Sequence, residues 1–150
     1  QDPFIIKGNV AFNLSLDNEN NKEDLSKVDR IINENDFDLD SSFKHNKRIQ
    51  EDGLNLSAGQ KQRLEILRSL FFEREILILD EPTANLDKNV EKKIIDQLFT
   101  IKKTLIIITH SKELIKSSEK ILFLKEDNSF VFSNYKNLLS DRDFQRLFQF

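Results

Sequence analysis

The sequence of 150 residues contains no cysteine, no methionine and no tryptophan, and it has only three glycines. Without cysteine the chain has no disulfide framework and no thiolate metal site. The glycines are Gly8, Gly53 and Gly59, and none of them is followed by Lys-Ser or Lys-Thr. A phosphate-binding loop of the form G-x-x-x-x-G-K-[ST], which wraps backbone N–H groups and a lysine around phosphates, is therefore absent from these residues.

Long apolar runs and an excess of positive charge are also missing. The apolar stretches at residues 76–79 and 105–108 are far shorter than the ~20 residues of a membrane-spanning helix. The net charge of −3 gives no basic field, which argues against nucleic acid as a partner. With 38% hydrophobic and 33% charged residues, the chain has the composition of one globular domain that can bury a core.

The segment Leu56-Ser57-Ala58-Gly59-Gln60 predicts the start of a helix. Ser57 and Gln60 have the spacing of a capping box, and apolar residues follow at helical intervals. The N-terminus of a helix can bind a phosphate, and Gly59 would let such a ligand approach the backbone. Capping boxes also begin ordinary amphipathic helices, so this segment alone leaves both alternatives open.

A second segment, residues 76–79, is a continuous apolar run that ends in Asp80 and Glu81. It predicts a strand buried on both faces. In open α/β sheets ligands bind beyond the carboxyl ends of the strands, where Asp80 could hold Mg²⁺ and Glu81 could orient or deprotonate a water. The alternative for this pair alone is two solvated carboxylates.

The rest of the chain alternates short strands with helices, which predicts an α/β layer. Residues 14–52 are rich in polar residues, with apolar positions at helical spacing, and predict a small helical subdomain. A second buried-type strand at 105–108 precedes Thr109 and His110, and residues 121–124 and 130–132 predict a hairpin.

The order of these motifs resembles the nucleotide-binding domain of ABC transporters, in particular of exporters. In that family they are the signature (LSGGQ) at 56–60, the Walker B motif ending in Asp80-Glu81, the D-loop at 85–87 and the H-loop at His110. Residues 1–10 resemble the Q-loop and the segment after it, and residues 135–150 resemble the C-terminal helical tail. Three positions depart from the family pattern: Ala58 replaces the first signature glycine, and Asn9 and Phe12 replace residues that are often Thr and Glu.

The resemblance implies an α/β fold, a partial RecA-like P-loop NTPase core with an inserted helical subdomain. The implied regions are the Q-loop and its following segment (1–13), the helical subdomain ending in the signature helix (14–73), the α/β core with Walker B, D-loop and H-loop (74–133) and the helical tail (134–150). Because Walker A is absent, we expect this chain to be the C-terminal part of a longer protein and to be inactive alone.

The resemblance also implies ATP and Mg²⁺ as cofactors. Glu81 and His110 would be the catalytic residues, and Asp80 and Gln1 would serve the metal. The residues expected to contact the nucleotide, in part across a dimer, are Ser57, Gly59, Gln60, Asp87 and Gln1. The expected partners are a second nucleotide-binding domain, which sandwiches ATP head to tail, and a transmembrane domain, in the same or a separate chain. This places the protein at the cytoplasmic face of the inner membrane, where ATP hydrolysis drives export of a substrate.

Two alternatives stay open. A soluble ABC-type ATPase acting on DNA or the ribosome would carry coiled-coil heptads or basic stretches around the motifs. A naturally short chain without Walker A could act as a non-catalytic dimerising or regulatory partner, although intact Glu81 and His110 argue against it. In this family the Walker A strand lies beside the strand at 105–108, so we also expect that strand to have an unpaired edge that favours self-association.

Overall fold

A computed structural model describes residues 3–17, 22–34 and 43–148 of the chain. The expected nucleotide and metal residue Gln1 lies outside these ranges, as does part of the predicted helical subdomain at 35–42. The chain forms two compact units, Gln1–Ile108 and Thr109–Phe150, and each is described by itself.

The first unit combines a helical part with a parallel strand pair. Its elements are, in chain order, β1 (Gly8–Asn9), α1 (Val10–Ser15), α2 (Lys22–Glu34), β2 (Arg48–Ile49), a short 3-10 turn (Glu51–Gly53), α3 (Ala58–Phe71), β3 (Ile76–Asp80), α4 (Lys88–Leu98) and β4 (Thr104–Ile108).

The helical part is built around α3, which contacts both α1 and α2. Helix α2 buries Val28 and Ile31 on one face, as its helical spacing predicts. Helix α1 is capped by Asn9, whose side chain accepts a hydrogen bond from the Phe12 N–H at 2.8 Å. Asn caps a helix as well as the Thr that is frequent at this position in exporters, so this departure is structurally conservative.

Strands β3 and β4 are parallel and in register from Ile76↔Thr104 to Asp80↔Ile108. The prediction that β3 is buried on both faces is wrong. Leu77 and Leu79 are buried, but the alternate side chains are exposed: Ile76 by 56% and Ile78 by 68%. Both faces of the strand are apolar, which is typical of a strand in a sheet that is packed on both sides. In this structure the described residues pack against one side only.

Two residues of β4 extend this exposed surface, which we call the isoleucine face; its members are Ile76, Ile78, Ile106 and Ile108. Within the described ranges, the only strand that pairs with β4 is β3. The other edge of β4 therefore has no strand neighbour there, as predicted. The self-association that we expect from this edge stays a prediction.

Helix α4 follows β3 and forms as its periodicity predicts. It buries Ile94, Ile95 and Leu98 on one face. Asp87 caps its N-terminus, because the carboxylate oxygen Oδ1 accepts from the N–H groups of Asn89 at 3.0 Å and Val90 at 3.1 Å. The start of α4 is thus fixed at the residue where the expected D-loop ends.

The second unit contains the predicted hairpin and two helical segments at its end. Its elements are α5 (Lys112–Ser117), β5 (Ile121–Leu124), β6 (Phe130–Ser133), α6 (Tyr135–Leu138) and α7 (Arg142–Phe148). Strands β5 and β6 pair antiparallel from Ile121↔Ser133 to Leu124↔Phe130. The predicted helical tail is therefore two short helices.

The core of the second unit is small and aromatic. Ile115, Leu138 and Phe144 are buried together. The Phe144 ring meets the rings of Phe123 and Tyr135 edge to face, with centroid distances of 5.3 Å and 6.1 Å. These contacts attach the hairpin to the helical tail.

Candidate functional site

The N-terminus of α3 has the capping-box geometry that its sequence predicts. The Ser57 hydroxyl oxygen accepts from the Gln60 N–H at 3.2 Å, and the Gln60 side-chain oxygen accepts from the Ser57 N–H at 3.0 Å. Ser57 and Ala58 are both exposed, so the positive end of the helix dipole faces solvent. Ala58 occupies the first helical position, where its methyl group adds no strain.

Packing against α4 is a structural reason for a glycine at position 59, in addition to the ligand approach that the sequence indicates. Gly59 is buried, and a Cβ atom built on it would lie 2.8 Å from Cγ1 of Val90 in the first turn of α4. This is closer than carbon atoms approach in real structures, so the glycine lets α3 and α4 pack at their N-termini. The role expected for Gly59 at a phosphate stays a prediction.

Asp80 and Glu81 follow one another at the carboxyl end of β3. Asp80 is the last residue of the strand, and its side chain is exposed. The Glu81 N–H donates to the Ile108 carbonyl oxygen at 2.8 Å, so β4 holds the backbone at this point. Glu81 itself has the left-handed φ of 47°, which costs a non-glycine residue about 1–2 kcal/mol. Strain of this kind is concentrated at functional sites.

The expected D-loop makes a compact turn between Glu81 and the Asp87 cap. The Ala84 N–H donates to the Glu81 carbonyl oxygen at 3.1 Å, and Asn85 is also left-handed, with φ of 60°. Thr83 is buried, and its hydroxyl donates to the Glu91 carboxylate at 3.3 Å. These contacts connect the turn to α4.

A groove of about 340 Å³ lies between α3 and the exposed side of β3. Gln62 and Arg68 line it from the helix, and Ile78 and Asp80 line it from the strand. A ligand lying in this groove would therefore reach the Asp80 carboxylate.

His110 belongs to the second compact unit, where it is exposed and precedes α5. The structure thus groups Ser57, Gly59 and Gln60 with the Asp87 cap through the contact of α3 with α4, and it holds Asp80 and Glu81 at the end of β3. The described residues include no group of three His, Asp or Glu side chains that would hold a metal ion by themselves. Mg²⁺ usually takes one or two carboxylates together with substrate phosphates, which suits Asp80 as one ligand.

Sequence reasoning missed two residues of the first unit, Asn13 and Arg68. Asn13 is fully buried, and its side chain bonds both backbone groups of Ile6. Arg68 of α3 donates to the carbonyl oxygens of Asn13 at 2.6 Å and Phe4 at 2.8 Å. A signal was available in the polar Asn13 of the apolar stretch 10–14, although its partners are distant in sequence.

Comparison with known proteins identifies the family. A family described as ABC transporter matches residues 5–84, which is more than half of the chain. The chain belongs to the ABC transporter family. ATP is the nucleotide that this family binds.

Curated relatives of this ABC transporter chain are ATP-binding transport proteins. It is 33% identical over 147 residues to the lactococcin-A transport/processing ATP-binding protein LcnC of Lactococcus lactis subsp. lactis, covering 96% of this chain and 20% of the relative. It is 31% identical over 153 residues to the multidrug resistance-like ATP-binding protein MdlB of Buchnera aphidicola, covering 100% of this chain and 26% of the relative. The chain thus spans about a fifth to a quarter of the length of these relatives.

The fold has a close solved counterpart. A bacterial Atm1-family ABC exporter with ATP bound superposes with a TM-score of 0.78, at 23% identity, over 99% of this chain and 27% of that one. The predicted α/β fold, a partial P-loop NTPase, is confirmed. None of the helices in the described ranges combines the length and apolar character that a membrane span requires.

Proposed function

We propose that this chain is the part of an exporter's ATPase domain that supplies the signature, Walker B, D-loop and H-loop, acting within a longer protein. The observation that carries the proposal is the arrangement of the first unit. Two capped helix N-termini, those of α3 and α4, pack on each other through Gly59, and Glu81 is held in a strained conformation at the end of β3.

In this proposal Glu81 is the general base. Its carboxylate orients a water and accepts a proton from it as the water attacks the γ-phosphate of ATP. Asp80 holds Mg²⁺, and the bound ion neutralises charge on the phosphates. His110 contacts the γ-phosphate, and Gln1 senses the metal or the water while it links to the membrane domain.

The signature acts on ATP that is bound to another domain. The exposed α3 N-terminus, with Ser57, Gly59 and Gln60, contacts the γ-phosphate of a nucleotide carried by the partner, and Asp87 helps to shape the partner's phosphate site. ATP then joins two domains, and hydrolysis releases them. The second partner is a transmembrane domain, so the protein works at the cytoplasmic face of the inner membrane and exports a substrate.

The 150 residues alone are proposed to be inactive. They contain no G-x-x-x-x-G-K-[ST] loop, so they lack the groups that hold the β- and γ-phosphates. A preparation of these residues should show no ATP turnover above the buffer, and turnover should appear only when a Walker A loop is supplied.

The test compares ATP turnover by the complete gene product with that of its Glu81→Gln variant. Loss of a general base lowers turnover by about 10²–10⁴-fold. ATP-dependent dimerisation should persist in the variant, because the amide leaves the contacts of the signature intact. Glu75→Gln is a matched control: the same change at the opposite end of β3 should leave turnover unchanged.

A complete gene product that neither hydrolyses ATP nor dimerises with it would overturn the proposal. The chain would then be a degenerate or regulatory partner. Equal turnover in Glu81→Gln and the wild type would instead remove Glu81 from the role of base while leaving the ATPase in place.

A further inference from the structure

The segment 3–6, which lies between Gln1 and β1, is held by side chains although it forms neither helix nor strand. At Phe4 the N–H donates to the Glu65 carboxylate at 2.8 Å, and the carbonyl oxygen accepts from Arg68 at 2.8 Å. At Ile6 the N–H donates to the Asn13 side-chain oxygen at 2.9 Å, and the carbonyl oxygen accepts from the Asn13 amide at 2.7 Å. We call these four bonds the clasp.

Arg68 connects the two halves of the clasp. Its Nε donates to the Asn13 carbonyl oxygen at 2.6 Å while Nη2 binds Phe4, and the guanidinium carbon lies 5.7 Å from the Phe4 ring centroid. Burial lowers the pKa of Arg68, and the neighbouring Glu65 opposes this shift. The planar guanidinium group can bind two carbonyl oxygens at once, which a lysine ammonium on a flexible stem does less well.

Asn13 suits its position because both functions of the amide are used. Its oxygen accepts from Ile6, and its nitrogen donates to the carbonyl oxygens of Ile6 and Asn9. A carboxylate of the same shape would place negative charge against these two carbonyl oxygens. An amide is therefore required at this fully buried point.

The clasp and the signature share one helix. Helix α3 runs without a break from Ala58 to Phe71, so Arg68 lies nine residues beyond Gly59, or about 14 Å along the axis. Because Glu65 and Arg68 belong to the same continuous helix as the signature, a displacement of the helix N-terminus would also move the groups that hold Phe4.

We propose that Arg68 and Asn13 are positioning residues that transmit movement of the signature helix to the segment that leads to Gln1. The inference rests on the proposed function, because it requires that ATP acts at the α3 N-terminus. It goes beyond that function by naming the contacts through which nucleotide binding at one end of α3 reaches the Q-loop segment.

The experiment measures backbone amide exchange in the complete gene product carrying Glu81→Gln, with and without ATP. We expect ATP to slow exchange at residues 58–60 and to change exchange at Phe4 and Ile6 at least threefold. With Arg68→Lys added, the response at 58–60 should remain and the response at Phe4 and Ile6 should disappear. Ser69→Ala is the matched control, because the hydroxyl of this neighbour on α3 donates to the Ile66 carbonyl oxygen within the same helix.

The outcomes separate two failures. If ATP leaves residues 58–60 unchanged, the proposed function fails at its first step. If ATP slows 58–60 but Phe4 and Ile6 do not respond, or respond equally in Arg68→Lys, the transmission proposal is overturned while the ATPase proposal stands. Should Arg68→Lys not fold, Glu65→Ala removes the acceptor of the Phe4 N–H and gives the same comparison from the other side of the clasp.

Discussion

Gly59 in α3 and Val90 in α4 touch so closely that no side chain fits between them. A methyl group on Gly59 would meet Cγ1 of Val90 at 2.8 Å. Val90 is β-branched and has little rotamer freedom in a helix, so it cannot easily move aside. The contact joins the first turn of α3 to the first turn of α4, whose cap is Asp87.

Gly59→Ala should therefore destabilise the chain through overpacking, by about 1–3 kcal/mol. In a Val90→Ala background the same change should cost far less, since the space for the methyl group is then available and Ala is favoured over Gly inside a helix. A double-mutant cycle from denaturant unfolding measures this coupling.

Gly53→Ala provides the control for that cycle. Gly53 has φ of +62°, and a Cβ there would lie 3.0 Å from Cγ2 of Ile5. Its replacement should also destabilise the chain, but Val90→Ala should not relieve the loss. Equal relief at both glycines would show that Val90→Ala acts through general loosening and not through the contact with Gly59.

Removal of the Asn13 amide should be costly because the site is buried. Asn13→Ala leaves both backbone groups of Ile6 without their partner, and we expect a loss of about 2–4 kcal/mol in the free energy of unfolding. Asn55 is the control: its amide also bonds backbone groups, accepting from the Gln50 N–H and donating to the Arg48 carbonyl oxygen, but it is exposed. Asn55→Ala should cost less than half as much, and equal losses would contradict the argument from burial.

Sequence reasoning was reliable where apolar periodicity is long. The buried faces of α3 and α4 follow directly from that pattern. It missed β1 and β2, because strands of two residues have no period to detect. The predicted two-sided burial of β3 was wrong. The apolar composition of the strand indicates that it can be buried on both faces, whereas its actual burial depends on which elements pack against each face.

The candidate site likewise contains residues that local sequence patterns predict and residues that they do not. Ser57 and Asp80 were predicted because their local spacing has a mechanism, namely a cap and a strand end, whereas Asp87 was predicted only from the family resemblance. The clasp was not found, because Asn13 and Arg68 are separated by 55 residues and nothing near either one indicates the other. The sequence interpretation explained Gly59 by the approach of a ligand. The contact of Gly59 with α4 is visible only in the three-dimensional structure.

Acid should weaken the second unit through Asp141. Its carboxylate bonds the Lys125 ammonium group at 2.6 Å, and this hydrogen bond lowers the pKa of Asp141 below its ordinary 3.8. A lowered pKa gives stability that is present above the ordinary value and is lost as the pH falls through the folded-state value. The same bond raises the pKa of Lys125 above 10.5, so its contribution is lost again in strong alkali.

Asp141→Asn tests this pair, because the amide can still cap α7 by accepting from the Asp143 and Phe144 N–H groups. The variant should unfold more readily than the wild type between about pH 4 and pH 10, and the difference should shrink below pH 4. Thermal unfolding followed by the Tyr135 signal measures it. A difference that persists at pH 2 would assign the loss to the cap and not to the charge.

The isoleucine face should make the isolated chain self-associate. Four large apolar side chains are 48–68% exposed on one side of β3 and β4, next to the β4 edge that has no strand neighbour among the described residues. Ile106→Lys should shift the chain toward monomer in sedimentation experiments, because it places a charge at the centre of this face. Leu54→Lys is the control: Leu54 is 77% exposed but lies outside the face, so this change should leave association as it was. A wild-type chain that stays monomeric at high concentration, with slow amide exchange at residues 105–108, would show that this edge is protected.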